Sequence, residues 1–254
     1  MGRKFDELYY KPNNQVLPVE DFWRAFDKDC QAARDKYENN IYCPLCQKAR
    51  LTWADGIKRR YFRAFTNHVD CDYQYDELTK KEVKDVKENL SDVDIKAKLQ
   101  TCINRIFRKE NKTFLAKLEG DEFGKRKNDN TLLTVQVNNV TKHIPTRLWD
   151  NILLEDDEGV DKIYFGKCKC YWEEYHNGKI NIYIYSYSRS KYIGKIVVSN
   201  VVKEYLTKEL NLISLDKKNR SFAIVSLWAE PVKCDVGCKF YLRRSTYIRV
   251  KILS

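Results

Sequence analysis

Two close pairs of soft donors constrain this chain more than anything else in it: Cys43-Pro44-Leu45-Cys46, and about two dozen residues later His68-Val69-Asp70-Cys71. A Cys-x-x-Cys knuckle turns both sulfurs toward one ion while backbone amides hydrogen-bond to the thiolates. His68 and Cys71 then complete a tetrahedron with no open position, so the pattern points to one structural Zn²⁺. Such a site contributes on the order of 10 kcal/mol to folding, which makes this segment dependent on its metal. The alternatives are a redox pair or two buried thiols. A thioredoxin-type motif, however, lies between a strand and a helix and needs no downstream His and Cys.

The other cysteines fit the same chemistry less well. The chain has nine in 254 residues, an odd number, and Met1–Leu8 is charged with no apolar segment following it. The expectation is a soluble, cytoplasmic protein with reduced or metal-bound thiols rather than a disulfide framework. Cys168 and Cys170 share one face of a strand, and Cys234 and Cys238 flank a turn at Gly237. The four together could make a second zinc site, but cysteine is a core residue by default. Cys30 and Cys102 fall on apolar helix faces and read as core.

Charge supplies the second constraint. Forty-seven Lys and Arg against 36 Asp and Glu leave +11. That excess fits a polyanionic partner, nucleic acid before anionic lipid. Residues 1–130 carry 27 basic and 23 acidic residues, a net of +4, and residues 131–254 carry 20 and 13, a net of +7. Between the two donor pairs lie Lys48, Arg50, Lys58, Arg59, Arg60 and Arg63, with Asp55 as the single acid. Trp53, Tyr61, Phe62 and Phe65 are interleaved with them. Cations grip phosphates and exposed rings stack on bases, as a nucleic-acid-binding finger requires. Alternatively, the rings are the small core of a metal-organised hairpin, which is the favoured reading for Tyr61, Phe62 and Phe65.

A second aromatic stretch runs from Ile180 to Tyr187. Period two puts Ile180, Ile182 and Ile184 on one face and Tyr183, Tyr185 and Tyr187 on the other, with Arg189, Lys191 and Lys195 following. A tyrosine ladder beside cations is similar in kind to the working face of an oligonucleotide-binding barrel. A strand buried on both faces would carry the same pattern.

The texture of the chain changes near its middle. Apolar residues recur every three or four positions over 19–38 and over 77–109, with Ser91 as an N-cap, which predicts helices. Residues 111–130 are polar, with Gly120, Gly124 and Lys125-Arg126-Lys127, and form the best linker. Strand periodicity follows over 131–137, 162–172, 180–187, 192–198, 221–229 and 239–252, with a hairpin turn at Asn177-Gly178 and a helix over 199–210. The expected class is α+β, divided as a zinc-binding helical module over 1–115, a linker over 116–130 and a basic β-rich domain over 131–254 that suits an OB-like barrel. No apolar run approaches the roughly 20 residues of a membrane helix.

Tyr-Cys-Pro-Leu-Cys, Arg-Tyr-Phe-Arg-Ala-Phe and His-x-x-Cys, within residues 40–74, resemble the zinc-ribbon-like module at the front of competence protein CoiA-like proteins. The resemblance implies a bacterial DNA-processing or phage and mobile-element defence context. It also implies a nuclease of the restriction-endonuclease type, which needs a strand-borne Asp followed by Glu-x-Lys to hold Mg²⁺ and steady water. Only Glu82-Val83-Lys84 and Glu110-Asn111-Lys112 carry that short pattern, both in charged helical surroundings. The acidic run Glu155-Asp156-Asp157-Glu158 with Asp161 reads as a solvated turn, and Glu173-Glu174 near His176 as a polar hairpin end. His143 has no sequence neighbour of known catalytic geometry. Phosphate loops, nucleophile elbows and His-Glu-x-x-His are absent from the sequence. The expected function is therefore a zinc protein that binds DNA or RNA by charge and stacking, through Lys58, Arg59, Arg60, Arg63, Tyr183, Tyr185, Tyr187 and Arg189. The alternatives are a metal-dependent nuclease and a protein–protein adaptor.

Overall fold

The computed structural model describes residues 5–56, 60–69, 71–115, 133–152, 157–175 and 178–253, with backbone alone for 108–115, Asn151, Thr207 and Glu209. The expected linker over 116–130 lies outside these residues, as does Asn177 of the expected hairpin turn. Chain contacts separate two units, one of Met1–Leu78 with Thr134–His143, the other of Thr79–Leu133 with Ile144–Ser254. These units cross the boundaries expected at 115 and 131.

The first unit is built from short pieces. β1 (Glu7–Tyr10) pairs antiparallel with β2 (Gln15–Pro18) and with β3 (Ile41–Tyr42). Between β2 and β3 lie α1 (Val19–Lys28) and α2 (Cys30–Tyr37). The periodicity over 19–38 predicts one helix, but Asp29 is extended at φ −155° and its carboxylate accepts from the Ala32 N–H at 2.9 Å. An N-cap in the middle of an apolar stripe starts a second helix in a new direction. β4 (Leu51–Asp55) and β5 (Arg60–Ala64) form a hairpin, as do β6 (Thr134–Val137) and β7 (Val140–His143). The first unit is thus two short helices among three small sheets, and the helices expected over 77–109 belong to the second unit. Phe22 is the centre of the core, with the rings of Trp23, Phe26, Tyr37, Trp53 and Phe62 all within 5.7 Å of it, centroid to centroid.

The second unit opens with α3 (Lys80–Asn89), started by a reciprocal capping box between Thr79 and Glu82. The chain breaks at Leu90, and Ser91 Oγ accepts from the Asp94 N–H to begin α4 (Asp92–Leu115). Ile95, Leu99, Cys102, Ile103 and Ile106 are buried at helical spacing. The strands that α4 packs on are β9 (Lys162–Glu174), β12 (Ser221–Ala229) and β15 (Ile248–Ile252). The apolar stripe read as part of an N-terminal helical module is therefore the cover of the large sheet.

That sheet also contains β8 (Thr146–Leu148), β10 (Ile180–Ser186), β11 (Tyr192–Val198), β13 (Pro231–Lys233) and β14 (Cys238–Leu242). Its order is β13-β14-β11-β10-β9-β12-β15, with β8 parallel on the first half of β9. β11 and β14 are parallel neighbours, and Gly194 permits their approach because a Cβ there would lie 2.4 Å from the Cys238 carbonyl oxygen. The segment predicted as one helix over 199–210 forms two single turns, α5 (Asn200–Lys203) and α6 (Thr207–Leu210). The predicted strand over 239–252 is β14 and β15, separated by a turn at Ser245–Tyr247.

The sheet is strongly curled. Three inter-strand steps separate β14 from β9, about 14 Å in a flat sheet. Yet the Phe240 and Tyr164 rings on those strands are 5.0 Å apart, and both pack on Trp149. The Trp149 indole donates to the Val225 carbonyl at 2.9 Å. Curling lets the isoleucines of β10 and the small residues of β9 and β12 share one interior. Among the described residues, no helix is long and apolar enough to cross a membrane.

Candidate functional site

The knuckle forms because the chain reverses tightly after β3. The Gln47 N–H donates to the Cys43 carbonyl at 2.9 Å, and Gln47 itself takes the left-handed conformation at φ 54°. The Cys43 N–H then donates to the Ala49 carbonyl at 2.8 Å, closing the loop. The β4–β5 hairpin carries the chain away and back. The Arg50 carbonyl accepts the Phe65 N–H, and the Arg50 N–H donates to Thr66 Oγ1, which latches the approach to His68.

The four donor atoms of Cys43, Cys46, His68 and Cys71 all lie within 4.8 Å of one another and can hold a metal ion. Cys43 and Cys71 sulfurs are 3.6 Å apart, and the Cys46 sulfur is 3.7 Å from His68 Nδ1. A tetrahedron with metal–sulfur bonds of about 2.3 Å has edges of about 3.8 Å, so the residues present fit a four-coordinate ion. Cys43 and Cys71 are buried, and the other two are half-buried. The His68 ring lies near-parallel to Tyr73 at 5.8 Å and to Phe5 at 6.3 Å, and these neighbours fix the plane in which Nδ1 points.

The thiols perturb one another. Hydrogen bonds from Cys43, Cys71 and, more weakly, His68 hold Cys46 far below the ordinary thiol range. Burial pushes Cys43 up. At Cys71 the hydrogen bond with Cys43 lowers the pKa, but that with Cys46 and burial outweigh it, leaving about 11. Backbone N–H groups of Cys46, Ala49 and Tyr73 favour the thiolates of Cys43, Cys46 and Cys71 respectively, as expected of a knuckle. Binding an ion therefore displaces protons from the cluster.

Beside this cluster is a feature that no local pattern announces. Asp72, the residue after Cys71, meets His143 of β7 at 3.2 Å, and both side chains are fully buried. The Leu78 N–H donates to the His143 carbonyl, and the His143 N–H to the Asp76 carbonyl. The β6–β7 hairpin is held to the metal module through these contacts, made by residues some 70 positions apart.

The second set of donors does not gather. Cys168 and Cys170 are buried on β9, where their mutual hydrogen bond and burial raise the Cys168 pKa. Cys238 and Cys234 reach the Ile193 and Val232 carbonyls instead. Among the described residues, Cys43, Cys46, His68 and Cys71 are the only cluster with metal-ligand spacing. Cys102 is buried as expected, whereas Cys30 is exposed.

The expected finger surface is reduced. Lys58 and Arg59 lie outside the described residues. Arg60 is committed to Asp27 at 2.7 Å and Asp55 at 2.8 Å and lies over the Trp23 ring. Arg63 is exposed. Phe62 is core, but Tyr61 and Phe65 are exposed, with the Arg50 guanidinium 4.3 Å from the Phe65 centroid. A hairpin this thin buries one face only, so cross-strand partners decide which rings point inward.

The tyrosine strand joins a much larger face. Ile180, Ile182 and Ile184 are buried, and Tyr183, Tyr185 and Tyr187 emerge on the other side. The register places Phe222, Lys169, Tyr185 and Tyr192 in one row across four strands. The next row holds Tyr171, Tyr183, Lys195 and Lys239. Arg220 enters from the start of β12, its guanidinium 3.7 Å from the Tyr185 centroid. Tyr171 and Tyr183 stack at 4.7 Å and 9°, and the Tyr175 and Tyr183 hydroxyls meet at 2.7 Å. Arg189 is exposed at the turn after β10, its N–H donating to Ser186 Oγ.

The carboxylates weighed as catalytic groups have other roles. Glu82 caps α3. Asp157 is buried between Arg147 and Lys162, and Asp161 pairs with Lys87. Glu174 pairs with Lys203. The positions Glu155, Asp156 and His176 lie outside the described residues, as do the side chains of Glu110 and Lys112. Family models, curated proteins and solved structures were compared with the chain, and none of them matches it.

Proposed function

We propose that this protein binds single-stranded nucleic acid on the tyrosine-and-cation face of its large sheet, with a structural Zn²⁺ organising the first unit. The observation that carries the reading is the pair of rows described above, in which rings and cations lie side by side across β12, β9, β10, β11 and β14. Backbone phosphates suit Lys169, Lys195 and Lys239, and aromatic surface tolerates any base. Among the described residues no carboxylate pairs with these lysines or with Arg220, so their charge is open to an anion. The OB-like barrel expected from the sequence is not what forms: the sheet has eight strands, and β13 and β15 at its two ends do not pair with each other.

Zinc supports the first unit rather than the chemistry. Three thiolates and an imidazole favour Zn²⁺, and four protein ligands leave no position for a substrate or water. When bound, the ion supplies rigid coordination. The residues Cys43 and Cys71 anchor it from the buried side, and His68 is aligned by Tyr73 and Phe5. The likeness of 40–74 to the CoiA-like module favours bacterial DNA processing, or phage and mobile-element defence, as the setting for this binding.

Fluorescence anisotropy with labelled oligo(dT) and oligo(U), repeated across a salt series from low to moderate ionic strength, tests the reading. Affinity should fall linearly on a log–log plot with a slope set by the number of phosphates neutralised. Absence of binding at low salt, or affinity indifferent to salt, overturns it.

A further inference from the structure

The tyrosines that define the face are poorly placed to stack on a base. Tyr171 is buried, one face of Tyr183 is covered by Tyr171, and Tyr185 is covered by Arg220. Their ring surfaces are taken up by each other and by a guanidinium. Phe222, the first residue of the same row, is different: 46% of it is exposed, although it lies on a strand that is otherwise buried from Ala223 to Ala229. A single exposed ring is ordinary by itself; what distinguishes Phe222 is its place in a row with Lys169 and Tyr185, beside Arg220.

The surroundings say what would cover it. Tyr187 meets Phe222 in a T-shaped contact, with centroids 5.7 Å apart and planes at 77°, and so walls one side of the ring, while nearly half of Phe222 stays in solvent. Lys169 Nζ is 5.2 Å from the Phe222 centroid and is held there by Ser190 Oγ at 2.7 Å. Arg220, two residues before Phe222, has its Nε buried with no hydrogen-bond partner among the described residues. A flat ring, a wall and two cations with fixed positions match a planar base attached to an anionic phosphate.

We infer that Phe222, Tyr187, Lys169 and Arg220 form a single-nucleotide subsite, in which one base stacks on Phe222 and its flanking phosphates meet Lys169 and Arg220. The ladder tyrosines are the floor of this subsite, not its stacking partners. The inference rests on the nucleic-acid reading above and assigns the base contact to a residue outside the tyrosine strand. Because the site offers a ring face and cations, it discriminates against duplex DNA, whose bases are already stacked, and accepts every base alike.

The test uses the full chain and short oligo(dT) and oligo(U) strands. Phe222→Ala should weaken binding roughly 5- to 150-fold with the salt slope unchanged. Phe222→Trp should restore it, and the introduced indole should be quenched on binding. Lys169→Ala and Arg220→Ala should each reduce the salt slope by about one. Tyr185→Leu should weaken binding less than Phe222→Ala. Because Phe222 is exposed, circular dichroism of Phe222→Ala should match the parent. Normal binding by Phe222→Ala, or no added quenching in a Phe222→Trp protein that still binds, overturns the subsite while leaving the nucleic-acid reading intact. Failure of the unaltered protein to bind either strand overturns that reading instead.

Discussion

The two units reach order by opposite means. In the first, a ring cluster around Phe22 shares the work with four soft donors, and the strands that flank those donors in sequence are two to five residues long. In the second, a curled sheet of eight strands and a 24-residue helix bury Trp149, Trp228, Tyr164 and Phe240 almost completely. Small units cannot bury enough apolar surface to offset chain entropy, and a metal bound only by the folded state makes up the difference. A larger sheet needs no such help. It can instead leave a face uncovered, which is where the proposed binding residues sit.

Metal removal should therefore separate the units most sharply. Chelation, or Cys43→Ser, is expected to remove on the order of 10 kcal/mol from the first unit. The five tryptophans report this directly, since Trp23 and Trp53 belong to the first unit and Trp149, Trp172 and Trp228 to the second. The indole N–H resonances of the first pair should collapse to random-coil positions while the other three stay dispersed. Loss of all five would break the comparison. Elemental analysis of an unchelated preparation should give one equivalent of zinc.

Acid should act on the same unit. Burial raises Cys43, and Cys71 stands at about 11, so both bind protons at neutral pH and release them to the metal. Protons compete for the sulfurs, so affinity rises with pH and falls as pH is lowered. Each proton displaced per ion gives about a tenfold loss per pH unit near neutrality. Competition titration with a chromophoric chelator across neutral pH measures the slope, and a flat profile would mean that the thiols are already ionised.

The reciprocal experiment attacks the second unit. Trp149→Ala should cost about 3–5 kcal/mol, because it leaves a cavity against the Tyr164 and Phe240 rings and removes the indole hydrogen bond to the Val225 carbonyl. Urea denaturation should show that transition moving while zinc stoichiometry stays at one. The smallest effect is expected from Thr79→Ala, which removes one half of the capping box of α3 for about 1 kcal/mol. A shift in metal affinity in either variant would show that the units are coupled.

Local signals are readable where a short stretch contains its own partners. The donor spacing of 43–46 and 68–71 names the metal cluster, Ser91 stands out as a cap, and the alternation over 180–187 separates isoleucines from tyrosines. Other features are not readable, because periodicity specifies which face a side chain takes and not which strand lies beside it. Hence the placement of Arg220 and Phe222 beside the tyrosines, the meeting of Asp72 with His143, and the transfer of the α4 stripe to the large sheet are visible only in three dimensions. So is the commitment of Arg60 to Asp27, a residue on a different element.

The amino-acid sequence by itself determined the chemistry available to this protein: three thiols and an imidazole at ligand spacing, a surplus of positive charge, and a strand with rings on one side. Only the tertiary structure decided how those groups are used. It brought the four donors within reach of one ion, gathered no second such cluster among the described residues, turned the ladder tyrosines against one another and exposed Phe222 beside them. The physical reason is that contacts between distant strands are set by sheet order and curl, which depend on the whole apolar interior at once rather than on any one segment.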